Sequence, residues 1–213
     1  MRDTRIVWDD EELEAAAITG TPIIMIDTLR ATSTIVTALA RGAREVRVVL
    51  DYDPGAEKGW LRIGERHGIR LEGADCDNSP VAVSRLDLSG VGILLRTTNF
   101  SRAFAIAKDT TVYAGSYLNI SRCIDLASSL RPCLIYPCRR MGRVALEDVL
   151  AALIIRSGEI PPEDDLLELV KMAESARNLI SLGKLEDIEF SCRINRFDIL
   201  PISGPGDSSF RAK

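Results

Sequence analysis

PIIMIDTLRATSTIVTALARG, residues 22–42, decides how the rest of the chain is read. Pro22 to Ile26 form a short, uniformly apolar run, the pattern of a strand buried on both faces. Asp27 ends the run. Ile35, Ala38, Leu39 and Gly42 then recur at helical spacing, with Gly42 as the stop. A buried strand that passes through Asp27-Thr28-Leu29-Arg30 into a helix is the opening of a βαβ arrangement.

The same alternation continues outward. EVRVVLD (45–51), LRIGE (61–65), VGILLRTT (91–98), TTVYAGS (110–116) and CLIYPC (133–138) read as strands. FSRAFAIAK, LNISRCIDLASSL (118–130) and ALEDVLAALIIRSG (145–158) read as helices, the last with Leu146, Val149, Leu150, Leu153 and Ile154 on one face. From Pro161 the pattern changes. One long helix is expected over about 164–182, with Leu169, Met172, Ala173, Ala176 and Ile180 along it. A short segment (184–190) follows, then a frayed tail, GPGDSSFRAK. The fold expected is α/β, a three-layer α/β/α arrangement with a mixed or mostly parallel sheet. Residues 1–213 are read as one domain, with 161–213 a helical C-terminal extension packed on it.

Composition narrows the function classes. Hydrophobic residues make up 46% of the 213 and charged residues 27%, which suits a folded globular chain. A net charge of −4 argues against a general nucleic-acid binder. No apolar run is long enough to span a bilayer, and MRDTRIVWDDEELEAAA has no signal-peptide core. The expectation is a cytoplasmic protein with no membrane and no nucleic-acid partner; a homodimer is compatible with the sequence. Five cysteines in no CxxC spacing are expected as free thiols. A single histidine, His67, excludes two-histidine phosphatases and His-rich metal clusters, and is read as structural or solvent-facing. Cys133 and Arg139 stand in CxxxxxR spacing, but LIYPC between them reads as a strand, not an anion-binding loop. No GxxxxGK(S/T) or GxGxxG motif occurs.

In open α/β sheets the ligand site lies beyond the carboxyl ends of the strands. There this sequence places Asp27, Arg30, Thr32 and Ser33; Glu65 and Arg66; Thr97, Thr98 and Asn99; and, opening a helix, Glu147 and Asp148. Such a set suits phosphate-ester hydrolysis, which needs cations for the phosphoryl oxygens and an oriented nucleophile. Mg2+ prefers one or two carboxylates with waters, and Asp27, Glu65, Glu147 and Asp148 are the candidates. Arg30 and Arg66 offer bidentate donors for a phosphate or a second acid group. Thr32 and Ser33 could cradle an anion or simply cap a helix.

Taken in order, the motifs resemble those of the 2-phosphosulfolactate phosphatase family. IDTLRATSTIVTALARGA (26–43), GERHG (64–68), NSP (78–80), TTN (97–99), GSYLN (115–119), LED (146–148) and CRINRFDILP (192–201) carry the resemblance. It implies magnesium-dependent hydrolysis of 2-phospho-3-sulfolactate to 3-sulfolactate and phosphate, a step toward coenzyme M. It adds Asn78 and Ser79 to the candidate site, and implies a small acidic phosphorylated metabolite as partner. Three departures stand out. Asp77 replaces the glycine before NSP, Phe100-Ser101 replaces Gly-Thr after TTN, and Arg139-Arg140 follows Cys138 where the family carries small residues. They leave two alternatives: a related phosphatase with a different acidic substrate, or a non-catalytic homologue that binds a phosphorylated or sulfonated metabolite.

Overall fold

The computed structural model describes residues 4–52, 57–140 and 142–213; the side chain of Arg140 lies outside the described part. In chain order the elements are β1 (Thr4–Ile6), α1 (Asp10–Ile18), β2 (Ile23–Ile26), α2 (Ala31–Ala40), β3 (Glu45–Val48), β4 (Leu61–Arg66), β5 (Ile69–Arg70) and α3 (Pro80–Ser84). Next come β6 (Gly92–Arg96), α4 (Phe100–Ala107), β7 (Val112–Gly115), α5 (Ile120–Ser129), β8 (Cys133–Pro137), β9 (Arg139–Arg140) and β10 (Arg143–Val144). The remainder is α6 (Leu146–Ser157), α7 (Glu163–Lys171), α8 (Glu174–Ser181), α9 (Leu185–Ser191), β11 (Ile202–Ser203) and β12 (Ser209–Phe210).

The chain is α/β, with ten strands in two five-stranded mixed sheets and β9 and β10 in a separate antiparallel pair. One has the order β1-β8-β2-β7-β11, the other β12-β3-β6-β4-β5. The inner strands are parallel, while β11, β12 and β5 pair antiparallel at the edges. The run at β2 explains the layering. Ile23 and Met25 join a core that also takes Val46, Ile93 and Leu95 from the second sheet and Ile35 from α2. Ile24 and Ile26 join a second core with residues of α5, α6, α7, α8 and α9. A strand with apolar layers on both faces needs apolar residues at every position, as the sequence has.

Several expectations are corrected. EVRVVLD leaves the sheet after Val48. The single long helix is two, because Ala173 adopts an extended backbone (φ −66°, ψ 150°) between α7 and α8. The apolar face also shifts. Leu169, Met172 and Ile180 are exposed, whereas Leu166, Val170, Ala173, Ala176 and Leu179 are buried. On α6, Leu146 and Leu153 face outward, and the inward face opens with Glu147 and Asp148. Residues 161–213 are not only helical: they supply an edge strand to each five-stranded sheet through β11 and β12.

The tail is not frayed. Phe210 is fully buried and packs 5.0 Å from Phe104 and 6.1 Å from Phe100, ring centre to ring centre. Phe100 therefore points into the core, 6.0 Å from Phe104, not into a ligand site. Phe210→Ala should destabilise the protein by about 3–5 kcal/mol through lost burial and a residual cavity. Chemical denaturation of the variant checks this; a loss below about 1 kcal/mol would mean that the tail strand is not seated as described.

Candidate active site

The loop from Asp27 to Arg30 joins β2 to α2 and is fixed from both ends. The Ala31 amide donates to Asp27 Oδ1 at 3.1 Å, and the Asp27 amide donates to Thr32 Oγ1 at 3.1 Å. Ser33 Oγ donates to the Thr28 carbonyl at 2.8 Å. Thr32 and Ser33 are fully buried. Their hydroxyls brace the loop, and neither lines a cavity described below.

The loop is also tied to a helix 120 residues away. The Thr28 amide and hydroxyl both donate to Asp148 Oδ1, at 2.8 and 2.9 Å. Tyr117 Oη donates to the Glu147 carbonyl at 2.5 Å. These bonds bring Asp27, Glu147 and Asp148, all buried, around a cavity of about 10 Å3 that Asn99, Cys138, Arg139 and Ser175 complete. That is room for roughly one water or one ion.

Burial above all, with repulsion from Glu65 and Glu147, pushes the Asp27 carboxyl up to about 7 against the lowering pull of the Ala31 amide and Arg30. Burial, with Glu147 and Asp27 alongside, likewise holds Asp148 well above the usual carboxylate range. Among the described residues no three His, Cys, Asp or Glu side chains converge tightly enough to hold an ion by themselves. Mg2+ does not require that. It commonly takes one or two carboxylates and completes its shell with water and substrate oxygens, so the donor set fits.

Asp27, Leu29, Asn99 and Ser175 also border a larger cavity of about 60 Å3. Arg30, Glu65, His67, Asn78, Thr97 and Thr98 line it, and α8 adds Asn178 and Leu179. Glu65 clamps two loops: Gly68 N–H donates to Oε2 at 2.7 Å and Thr98 N–H to Oε1 at 2.8 Å. Gly68 has φ +84°, a conformation that favours glycine. Thr97 and Ser101 exchange amide-to-hydroxyl bonds at the start of α4. Asn78 is buried, and its Oδ1 has no hydrogen-bond partner among the described residues. An unmet buried acceptor on a cavity wall calls for a ligand donor, a water or a cation.

Arg30 is 3% exposed and is held by carboxylates from two distant segments. Its Nη1 lies 2.5 Å from Asp187 Oδ2 and 3.1 Å from Asp77 Oδ2. Asp187 Oδ1 accepts from Ser79 Oγ at 2.5 Å, and Ser79 caps α3 through the Ala82 amide. Ser79 therefore stands behind Arg30, away from the larger cavity. Lys184 Nζ also pairs with Asp77 and bonds the Gly68 carbonyl. Burial pushes Asp77 up, but Lys184 and Arg30 outweigh it and hold its carboxyl below the ordinary value. The departure from glycine at 77 is thus matched by a lysine.

Of the expected site residues, Asp27, Arg30, Glu65, Asn78, Thr97, Thr98 and Asn99 line the larger cavity, and Asp27 and Asn99 share the smaller one with Glu147 and Asp148. Arg66 is exposed and borders a neighbouring cleft with Arg96 and Arg102. Sequence reasoning missed Asp187, Ser175 and Asn178, which lie on helices with no recognisable motif. It also set aside His67, which stands at the cavity wall with φ 54°. The cysteine alternative fails: Cys133 is fully buried, and burial pushes its thiol up to about 12. Burial, with Asp27 and Asp148 nearby, also keeps Cys138 protonated.

Residues 9–159 match the family model for 2-phosphosulpholactate phosphatase. A probable 2-phosphosulfolactate phosphatase of Thermotoga petrophila is 33% identical over 197 residues, covering 84% of this chain and 87% of the relative. Counterparts in Synechocystis (31%, covering 84% and 87%) and Clostridium tetani (26%, covering 92% and 95%) carry the same description. The family match and these relatives make the chain an α/β enzyme of the phosphoric monoester hydrolase class. The chain belongs to the 2-phosphosulfolactate phosphatase family.

Two outcomes follow from the site. Asp187→Ala strips Arg30 and Ser79 of a buried partner and should cost about 3 kcal/mol in chemical denaturation; a cost near zero would mean the pair is not formed. The second concerns pH. Asp27 and Asp148 carry folded values raised above the unfolded 3.8. The folded state therefore keeps protons that the unfolded state has lost, and stability falls as pH rises from about 4 toward 7. In chelator, the melting temperature should drop across this window. Asp27→Asn should flatten the slope. A melting temperature that rises through the window in chelator would contradict the buried cluster.

Proposed function

We propose that the chain is a magnesium-dependent phosphatase of a small acidic phosphate monoester. 2-Phosphosulfolactate, the compound in its relatives' names, is the first candidate, giving 3-sulfolactate and phosphate. The observation that supports this reading is the ion-sized cavity walled by Asp27, Glu147 and Asp148, which adjoins the larger cavity of Arg30 and Asn78.

Asp27, Glu147 and Asp148 would hold the ion, directly or through water, with Glu65 at the border. When bound, Mg2+ neutralises phosphoryl charge and makes water a better nucleophile. Mg2+ usually takes one or two carboxylates directly, so an acid that holds it only through water would be placed to accept a proton from the attacking water. Arg30, fixed by Asp77 and Asp187, offers its guanidinium to the phosphoryl oxygens with little freedom left to lose. Thr97, Thr98, Asn99 and Asn78 would orient the ester through hydroxyl and amide groups. Thr32, Ser33 and Ser79 would act from behind, by holding Asp27 and Arg30. A cytoplasmic setting belongs to the same proposal, and the free thiols suit a reducing compartment.

Phosphate release from 2-phosphosulfolactate and a panel of 2-phospho acids tests the reading, with Mg2+ and with chelator. Release should require the metal, and Asp27→Asn should lower kcat/KM by about a hundredfold or more. Binding of the panel without release, by folded protein in Mg2+, would replace this reading with that of a non-catalytic metabolite binder.

A further inference from the structure

A groove of about 360 Å3 lies beside the two cavities, and it holds basic side chains that the family motifs do not include. Arg139 and Arg102 line it, with His67, Thr98 and Asn99, which also border the larger cavity. Arg139 borders the small acidic cavity as well, so Asn99 and Arg139 stand where acid cluster and groove meet. The other titratable groups on its wall are Asp10 and Tyr136, and these are engaged with each other, Tyr136 Oη donating to Asp10 Oδ1 at 2.6 Å.

The two arginines are differently prepared. Arg139 is half-buried and anchored by Nη2 to the Gly142 carbonyl, while its buried Nε has no partner among the described residues. A guanidinium held at one corner with an unmet N–H is preorganised for an oxyanion. Arg102 is exposed and makes no ion pair among the described residues. Size matters too. The larger cavity, about 60 Å3, has room for only a few waters or a group of similar bulk. The groove shares His67, Thr98 and Asn99 with that cavity, so an ester whose phosphoryl group sits by Arg30 can extend its acidic remainder toward the groove.

We infer that Arg139, assisted by Arg102, forms a subsite for a second anionic group of the substrate, a carboxylate or sulfonate borne by the leaving alcohol. This subsite selects esters of acidic alcohols over esters of neutral ones. It deepens the proposed phosphatase reading and rests on it for its catalytic readout.

The test uses the full chain with Mg2+ and three esters: 2-phosphosulfolactate, 2-phospholactate and glycerol 2-phosphate, which bear two, one and no additional acid groups. In Arg139→Gln, the ratio of kcat/KM for 2-phosphosulfolactate to that for glycerol 2-phosphate should fall about tenfold or more, mainly through KM. Arg102→Gln should lower it less, and Arg139→Lys should restore part of it. An unchanged ratio, whether both rates fall together or neither does, would overturn the subsite. Calorimetric binding of 3-sulfolactate to wild type and Arg139→Gln separates the two readings. If no ester is hydrolysed but wild type binds 3-sulfolactate and the variant binds it about tenfold more weakly, the phosphatase reading fails and the subsite stands. If wild type neither hydrolyses an ester nor binds 3-sulfolactate, the subsite is overturned as well.

Discussion

Like charges packed together out of water repel strongly, and the fold brings Asp27, Glu147 and Asp148 together at the meeting of a strand end and a helix start. Much else in the molecule keeps that arrangement in place. Thr28 spans the gap by donating twice to Asp148. Thr32 and Ser33 pin the intervening loop, and Tyr117 holds the helix opening through the Glu147 carbonyl. The GSYLN motif works at one remove. Asn119 accepts from the Ser116 amide and donates to the Ala114 and Ile199 carbonyls, fixing the turn that carries Tyr117.

A second charged assembly borders the larger cavity through Arg30. Arg30 and Lys184 face Asp77 and Asp187, two cations against two anions. The site thus joins a charge-matched, rigid group that presents a guanidinium to a neighbouring cluster of buried acids. Removing either member of the charge-matched group would leave a buried charge without its counterpart, which costs more than an equivalent loss at the surface.

The buried run at Ile23–Ile26, the helix after it, and the polar strand ends at Asp27, Glu65 and Thr97 were all legible in the sequence, because each follows from backbone periodicity and chain direction. The two-sheet division was not, since a strand buried against one helix layer and a strand buried between sheets show the same apolar pattern. The inward face of α6 was misread for a physical reason. Periodicity ranks leucines inward and acids outward, and here Glu147 and Asp148 take the buried positions while Leu146 and Leu153 stay in solvent. Asp187 was invisible for a related reason. On its own helix it is one more first-turn acid, and only the approach of Arg30 from 157 residues away gives it meaning.

The pairing of β12 with β3 has a consequence for how the protein is made. Val46 finds its partner in Phe210, and Val112 in Ser203, so both sheets keep an open edge until late residues arrive. At ~5–20 residues per second, the ribosome takes roughly ten to thirty seconds to travel from β3 to β12. Throughout that interval the nascent chain displays unpaired strand edges beside the unfilled Phe100–Phe104 hollow, and its vulnerability to aggregation belongs to synthesis, ending when Phe210 docks.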